Sequence, residues 1–434
     1  MQSAPPLRQE ISLAAHRMSS QYLKVRRFTE ELCTPLAAED YVIQSMPDVS
    51  PTKWHLAHTS WFFETNILIP FDAGYPSPSP LYNYLFNSYY VSAGKRHCRA
   101  KRGLLSRPTV REIYDYRAQV DDHMLKLLDR LDESDAQEVF PVVELGLHHE
   151  QQHQELILTD IKHVFSINPL RPAYVREEPK NSNGVELPDL TWIAYPEGIF
   201  VVGHRGKGFA YDNESPSHRV FVEPFQLASR LVSNGEYLAF IEDGGYERQL
   251  LWLSDGWNVS QSQGWKAPLY WERRDGRWWI MTASGMRELS EAEPVCHLSY
   301  YEADAVARWA GARLPTEEQW EIASGHLPIE GNFVESKNFH PVPLTEAGST
   351  RKPRQMFGDV WEWTRSHYSP YPGFKPAAGV LGEYNGKFMC NQFVLRGGSC
   401  VTSRSHVRRS YRNFFPADAR WQFSGIRLAK DGEE

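Results

Sequence analysis

Glycine is spread so unevenly along the 434 residues that it limits the fold more than any motif does. Four of the 29 glycines (Gly74, Gly94, Gly103 and Gly146) precede Lys180, and so do two of the 14 tryptophans, Trp54 and Trp61. Glycine supplies the positive φ that tight turns demand, so a segment this poor in it lacks the punctuation of β-structure. The first part therefore reads as helical. The second, dense in turn residues, reads as an irregular mixture of strands and helices. The change falls in "REEPKNSNGVELPD", residues 176–189. A chain this long exceeds one ordinary core, and we expect two domains, 1–180 and 181–434.

Amphipathic periodicity predicts four helices in the first domain, at about Arg8–Leu32, Pro51–Ile69, Pro108–Leu131 and Ala136–Phe165. Pro51 and Pro108 fall where a helix tolerates proline, in the first turn, with Ser50 and Ser106 as caps. Four helices with one long connection, residues 70–107, describe a four-helix bundle. In the second domain "GIFVVGH" and "RVFVEPFQLA" read as strands, and "SYYEADAVARWAGA" as a helix. The expected class is a multidomain α+β protein.

Several functions are excluded early. Lys plus Arg number 47 against 54 Asp plus Glu, and a net charge of -7 argues against a nucleic-acid surface. No apolar run is long enough to span a bilayer, so no membrane is expected as partner. The N-terminal residues carry no apolar stretch behind their charges, so we read no signal peptide. Cys33, Cys98, Cys296, Cys390 and Cys400 are scattered, odd in number and without a CxxC, as in a reducing cytoplasm.

"HHEQQHQE", His148 to Glu155, contains HExxH, the signature of zinc peptidases. On a helix His149 and His153 lie one above the other. The same seam carries Val142, Leu145, Gln152 and Leu156, mostly apolar, so the pair faces the bundle interior. Buried imidazoles need partners, and a metal is the commonest one. "WHLAHTSWFFE" offers His55 and His58 as a third ligand from another helix. A zinc peptidase would instead take its third ligand downstream. There the sixth position after His153 is Thr159, and Leu156 replaces the expected glycine. Glu177 and Glu178 lie further on, in the proline-containing linker. Glu150 would be the peptidase base; we read it rather as a solvated helix carboxylate. Three neutral histidines with open coordination positions suit a non-haem iron, but spacing alone does not separate iron from zinc.

The second domain carries, in order, "RLPTEEQWE" (Arg313–Glu321), "FGDVWEWT" (Phe357–Thr364), "VLRGGSC" (Val394–Cys400) and "SGIRLA" (Ser424–Ala429). This set resembles the formylglycine-generating-enzyme-like domain, a C-type-lectin-related α+β fold. Each motif alone has a structural reading, the glycine pair a close backbone approach and the tryptophans packing. Joined to a DinB-like four-helix bundle carrying "LAH" and "HEQQHQE", the whole chain resembles the sulfoxide synthases of ergothioneine biosynthesis (hercynine oxygenases). Residues 245–290 match least well. The resemblance implies iron(II), Fe(2+), and O2 acting on hercynine and a thiol, to join sulfur to C2 of the imidazole as a sulfoxide. It implies His58, His149 and His153 as ligands, leaves His55 as bundle packing, and makes the HExxH spacing coincidental.

Further expectations follow from the resemblance. Gln152 binds the hercynine imidazole, and Asn413, Phe414 and Phe415 receive its trimethylammonium group, which aromatic faces can hold. Arg99 and Arg102 meet a substrate carboxylate, and Tyr89 or Tyr90 donates a proton. "SYYVSAG" and "AAGVLGEYNGKFMCNQFVLRGGS" point to the branch that takes cysteine, with γ-glutamylcysteine or a selenium donor as alternatives. Cys400 lacks the second cysteine of formylglycine-generating enzymes, so copper-based cysteine oxidation is not expected. No appended methyltransferase follows "SGIRLA", so sulfur transfer to unmethylated histidine is not expected either. Outside this class stand a zinc metallopeptidase and a non-catalytic, lectin-type binding module.

Overall fold

The computed structural model describes residues 5–90, 93–176, 184–345, 352–377, 379, 382–383 and 385–432. It divides into two compact units, Met1–Ile167 with Ala377–Tyr384, and Asn168–Pro376 with Asn385–Glu434. The first unit holds α1 (Pro5–Cys33), α2 (Thr52–Phe63), the short α3 (Ile69–Phe71) and α4 (Tyr82–Phe86), then α5 (Val110–Arg130) and α6 (Glu133–Ile167). The four long helices form the expected bundle. Among the described residues, no helix is long and apolar enough to cross a membrane.

Helix starts differ from expectation in detail. Thr109 caps α5 through a reciprocal bond pair with Glu112, and Pro108 lies outside the helix. Pro51, not Ser50, stands at the cap of α2. The Ser50 Oγ, the atom that would cap, instead accepts from Arg102 at 2.9 Å, and its backbone N–H donates 2.8 Å to Asp160 of α6.

Every residue of α2 is buried, polar ones included. Buried polar groups persist when each finds a partner. Lys53 Nζ donates to the carbonyls of Leu105 and Pro108 at 2.5 and 3.0 Å. Thr59 Oγ1 accepts from Arg117 of α5, and Ser60 Oγ from Arg26 of α1. Gly146 lets α6 approach α2 closely: a Cβ there would stand 2.5 Å from the Phe63 ring and 2.9 Å from that of Phe62.

The second unit has β1 (Trp192–Tyr195), β2 (Gly198–Val202), β3 (His218–Val222) and β4 (Phe225–Ala228). Helices α7 (Asn234–Glu242) and α8 (Ser254–Ser262) precede β5 (Trp271–Arg274), β6 (Arg277–Thr282) and β7 (Gly285–Glu288). Then come α9 (Tyr300–Trp309), α10 (Glu317–Ser324), β8 (Trp361–His367), β9 (Gln392–Arg396), β10 (Asn413–Pro416), β11 (Ser424–Gly425) and β12 (Ala429–Asp431). The largest sheet runs β10-β9-β8-β11, antiparallel except for the parallel β11–β8 pair.

The four ordered motifs interlock there. Arg427 of "SGIRLA" forks onto Glu362 of "DVWEWT" at 2.8 and 3.0 Å, with both side chains fully buried. Arg396 of "VLRGGS" pairs with Glu321 of "RLPTEEQWE". Gly397 and Gly398 have φ of 98° and 82°, and a Cβ on Gly397 would lie 2.6 Å from the Met356 carbonyl. The glycine pair thus serves the close approach that its chemistry suggested.

Candidate metal centre

His58 of α2 and His149 and His153 of α6 each offer a ligand atom, all within 4.8 Å of one another and all buried. Among the described residues no other cluster could hold a metal ion. The i, i+4 spacing puts His149 and His153 on one face of α6, their rings edge-on at 4.6 Å, and α2 supplies the third imidazole. The Nε2 atoms of His58 and His149 stand 3.1 Å apart.

Burial depresses all three rings. His149 is pulled down to about 3 by loss of solvent, against the opposing charge of Glu150. His58 and His153 lie well below the usual histidine range, first through burial and then through neighbouring histidines. Each ring is therefore neutral at neutral pH, with one N–H and one lone pair. For His58 the choice is fixed. A carbonyl only accepts, so Nδ1–H donates to the Phe86 carbonyl at 2.5 Å and Nε2 keeps the lone pair.

Aromatic rings wall the cluster. Trp54 and Trp61 both stack on His58, at 4.6 and 5.3 Å, each tilted by 14°. Phe62 packs 5.0 Å from His149. Tyr90, 2% exposed, lies against Trp61 and Phe62 at 5.6 and 6.2 Å and stacks on the half-buried Tyr89. Burial raises the Tyr90 hydroxyl well above the ordinary phenol range, so it holds its proton. The half-buried Gln152 lies on α6 between the two ligands.

The two arginines have different surroundings. Arg99 is exposed and donates to the Asp48 carbonyl. Arg102 is 3% exposed, lies 3.3 Å over the Trp54 ring and donates to Ser50 Oγ at 2.9 Å. Burial, then the charge of Arg99, pulls it down to about 9. Among the described residues it forms no ion pair with a carboxylate. In the second unit Asn413, Phe414 and Phe415 lie half-buried on β10. Asn413 Oδ1 accepts the Phe414 N–H at 2.9 Å, Phe414 stacks 4.1 Å from Tyr368, and Phe415 meets Trp421 edge-on.

Two readings need correction. Glu150 is not a solvated carboxylate: it is fully buried, accepting from Arg26, Arg117 and Thr29 at 2.9, 2.5 and 2.7 Å. Nor is His55 mere packing. Its Nδ1 is 2.8 Å from Nδ1 of His153, and its Nε2 is 3.0 Å from Asp160 Oδ2. Sequence reasoning overlooked Asp160, although seven residues beyond His153 is the same helix face two turns on. Glu177, Glu178 and parts of the two branch stretches, Val91 and Ser92 among them, lie outside the described residues.

Comparison with known proteins accords with both units. Residues 21–157 match the DinB superfamily, and residues 176–352 and 349–432 the Sulfatase-modifying factor enzyme 1-like domain. The chain is 34% identical over 409 residues to "Hercynine oxygenase" of Mycobacterium tuberculosis, covering 89% of this chain and 92% of that one. It is 33% identical over 423 residues to the protein of that name from Mycolicibacterium smegmatis, again covering 89% and 92%. "Ergothioneine biosynthesis protein 1" of Schizosaccharomyces pombe is 30% identical over 236 residues, 51% of this chain and 28% of that one. Identity at this level over almost the whole of two full-length relatives is kinship in both units at once, and the chain belongs to the hercynine oxygenase family.

Proposed function

We propose that this chain is an iron(II)- and O2-dependent sulfoxide synthase that joins the sulfur of cysteine to C2 of the hercynine imidazole. The observation that carries the reading is the buried cluster of His58, His149 and His153, three neutral nitrogens with no carboxylate among them, in a member of this family. Such a donor set fits a divalent metal that keeps positions open for substrates. The reaction balances: the C2–H and S–H hydrogens leave as water with one oxygen atom, and the other stays on sulfur. Iron, when bound, would supply the redox chemistry with O2.

The remaining roles belong to side chains. Gln152 hydrogen-bonds the hercynine imidazole, and Asn413, Phe414 and Phe415 receive the trimethylammonium group, which can donate no hydrogen bond. Arg102 is the better cation for a substrate carboxylate, because it is buried without an internal carboxylate pair among the described residues; exposed Arg99 adds charge nearby. Tyr90 holds the proton to be donated, with Tyr89 stacked on it. A zinc peptidase would need Glu150 as base, and that carboxylate is occupied by two arginines.

The test is anaerobic loading with iron(II), followed by O2 with hercynine and either cysteine or γ-glutamylcysteine, with products read by mass. Hercynylcysteine sulfoxide is expected. Turnover with γ-glutamylcysteine alone would reassign the sulfur donor, and no oxygen uptake with either would sink the reading.

A further inference from the structure

We propose that Asp160 and His55 form a positioning relay that fixes the tautomer of His153 and so presents its Nε2 lone pair to the metal. The inference rests on the metal reading of the histidine cluster and goes beyond it, to residues outside the ligand set.

The argument runs from the carboxylate inward. Asp160, 4% exposed, uses Oδ2 to accept the Ser50 N–H at 2.8 Å, so that oxygen is an acceptor. His55 Nε2 lies 3.0 Å from the same oxygen and must therefore donate its hydrogen. In its neutral form, with one N–H, His55 then has Nδ1 left as an acceptor. His153 Nδ1, 2.8 Å away, then carries the hydrogen and donates it. The Nε2 of His153 then keeps the lone pair, available to a metal shared with His58 and His149. The opposite set of tautomers would put the bare Nε2 of His55 against a carboxylate oxygen, which neither could relieve.

Helix geometry makes the relay. Asp160 lies seven residues after His153 on α6, two turns along the same face, and His55 enters from α2 one turn before His58. The backbone carbonyl of Phe86 does the same for His58. Groups that hold the far nitrogen of a metal-bound histidine fix its orientation and raise its basicity, and their loss costs about 10–100-fold in metal affinity.

The experiment measures the affinity of the full chain for iron(II) without oxygen, by competition with a chromogenic chelator, alongside folding by circular dichroism. His55→Phe keeps a ring but removes the acceptor, and Asp160→Ala removes the anchor; each should weaken binding about 10–100-fold. Asp160→Asn can place its amide oxygen where Oδ2 accepts both hydrogens, and should lose much less. Equal affinity in wild type and a folded His55→Phe overturns the relay, as does an Asp160→Asn loss as large as that of Asp160→Ala. Should a variant fail to fold, the metal-free wild type still decides: ¹⁵N spectra of His153 should show the Nδ1–H tautomer, and Nε2–H would overturn the proposal. A wild type that binds no divalent metal would instead sink the histidine cluster itself.

Discussion

Glu150 and Arg117 face each other at 2.5 Å with neither side chain exposed to solvent. Arg26 closes the other side of the carboxylate at 2.9 Å. The glutamate of the HExxH sequence is thus the anion that ties three helices, α1, α5 and α6. Removing one member of a buried charge cluster leaves the rest unpaired, typically at a cost of about 3–5 kcal/mol. Glu150→Gln, which keeps the shape, should lower stability in chemical denaturation by about 3 kcal/mol, the lower end of that range. The folded fraction should still bind one metal ion. An unchanged midpoint would show that the ion cluster contributes nothing to the bundle.

The same carboxylate predicts a pH dependence. Burial alone would raise its pKa, but Arg117 and Arg26 pull it from 4.5 down to about 2. A folded-state pKa below the unfolded one gives stability that is present above the unfolded value. Here it is lost as pH falls from 4.5 through about 2. The shift corresponds to something on the order of 3 kcal/mol. Acid unfolding followed by circular dichroism should show this loss in the wild type and a shallower curve in Glu150→Gln. Parallel curves would detach the group from acid stability.

How far these features were legible depends on where the partners lie. The bundle could be read because glycine scarcity and periodicity are local properties. The inward face of His149 and His153 could be read because i, i+4 neighbours share a stripe. Burial of Glu150 could not, since its partners Arg26 and Arg117 lie 124 and 33 residues away on other helices. The cap at Ser50 failed for a related reason: its hydroxyl accepts from Arg102, 52 residues on. In the second unit, motifs 65 and 75 residues apart are bound by Arg427–Glu362 and Arg396–Glu321. Mutual satisfaction of buried charges gives a physical reason for that ordered set to occur together.

The ligand assignment separates the four histidines of the site. His58→Ala, His149→Ala and His153→Ala should each abolish stoichiometric iron(II) binding, measured by elemental analysis after anaerobic gel filtration. Oxygen uptake should vanish with it. Full iron occupancy in any one of them would remove that residue from the ligand set.

Substrate choice is tested at Phe415. If its ring receives the trimethylammonium group, Phe415→Leu should weaken hercynine relative to histidine by roughly tenfold, within the range of a single cation–π contact. The KM for cysteine should not move. Equal losses for hercynine and histidine would mean that the ring only packs against Trp421, 5.8 Å away.

The last prediction concerns the proton. Forming the sulfoxide releases one oxygen atom of O2 as water, so protons must reach that oxygen while the substrates are held. The Tyr90 phenol is buried beside Trp61 and Phe62, the rings that pack on His58 and His149. Burial keeps it protonated far into alkaline pH. Without a donor, both oxygen atoms can pass to the thiol instead, converting cysteine to its sulfinic acid with no water released. Tyr90→Phe keeps the ring and its packing, so iron and hercynine binding should stay within about twofold of wild type. Its product should shift from hercynylcysteine sulfoxide towards cysteine sulfinic acid, and Tyr89→Phe should shift it less. Mass analysis after a single turnover reads the ratio directly. A Tyr89→Phe Tyr90→Phe double variant that made sulfoxide at the normal rate and yield would exclude both phenols and send the search for the donor elsewhere.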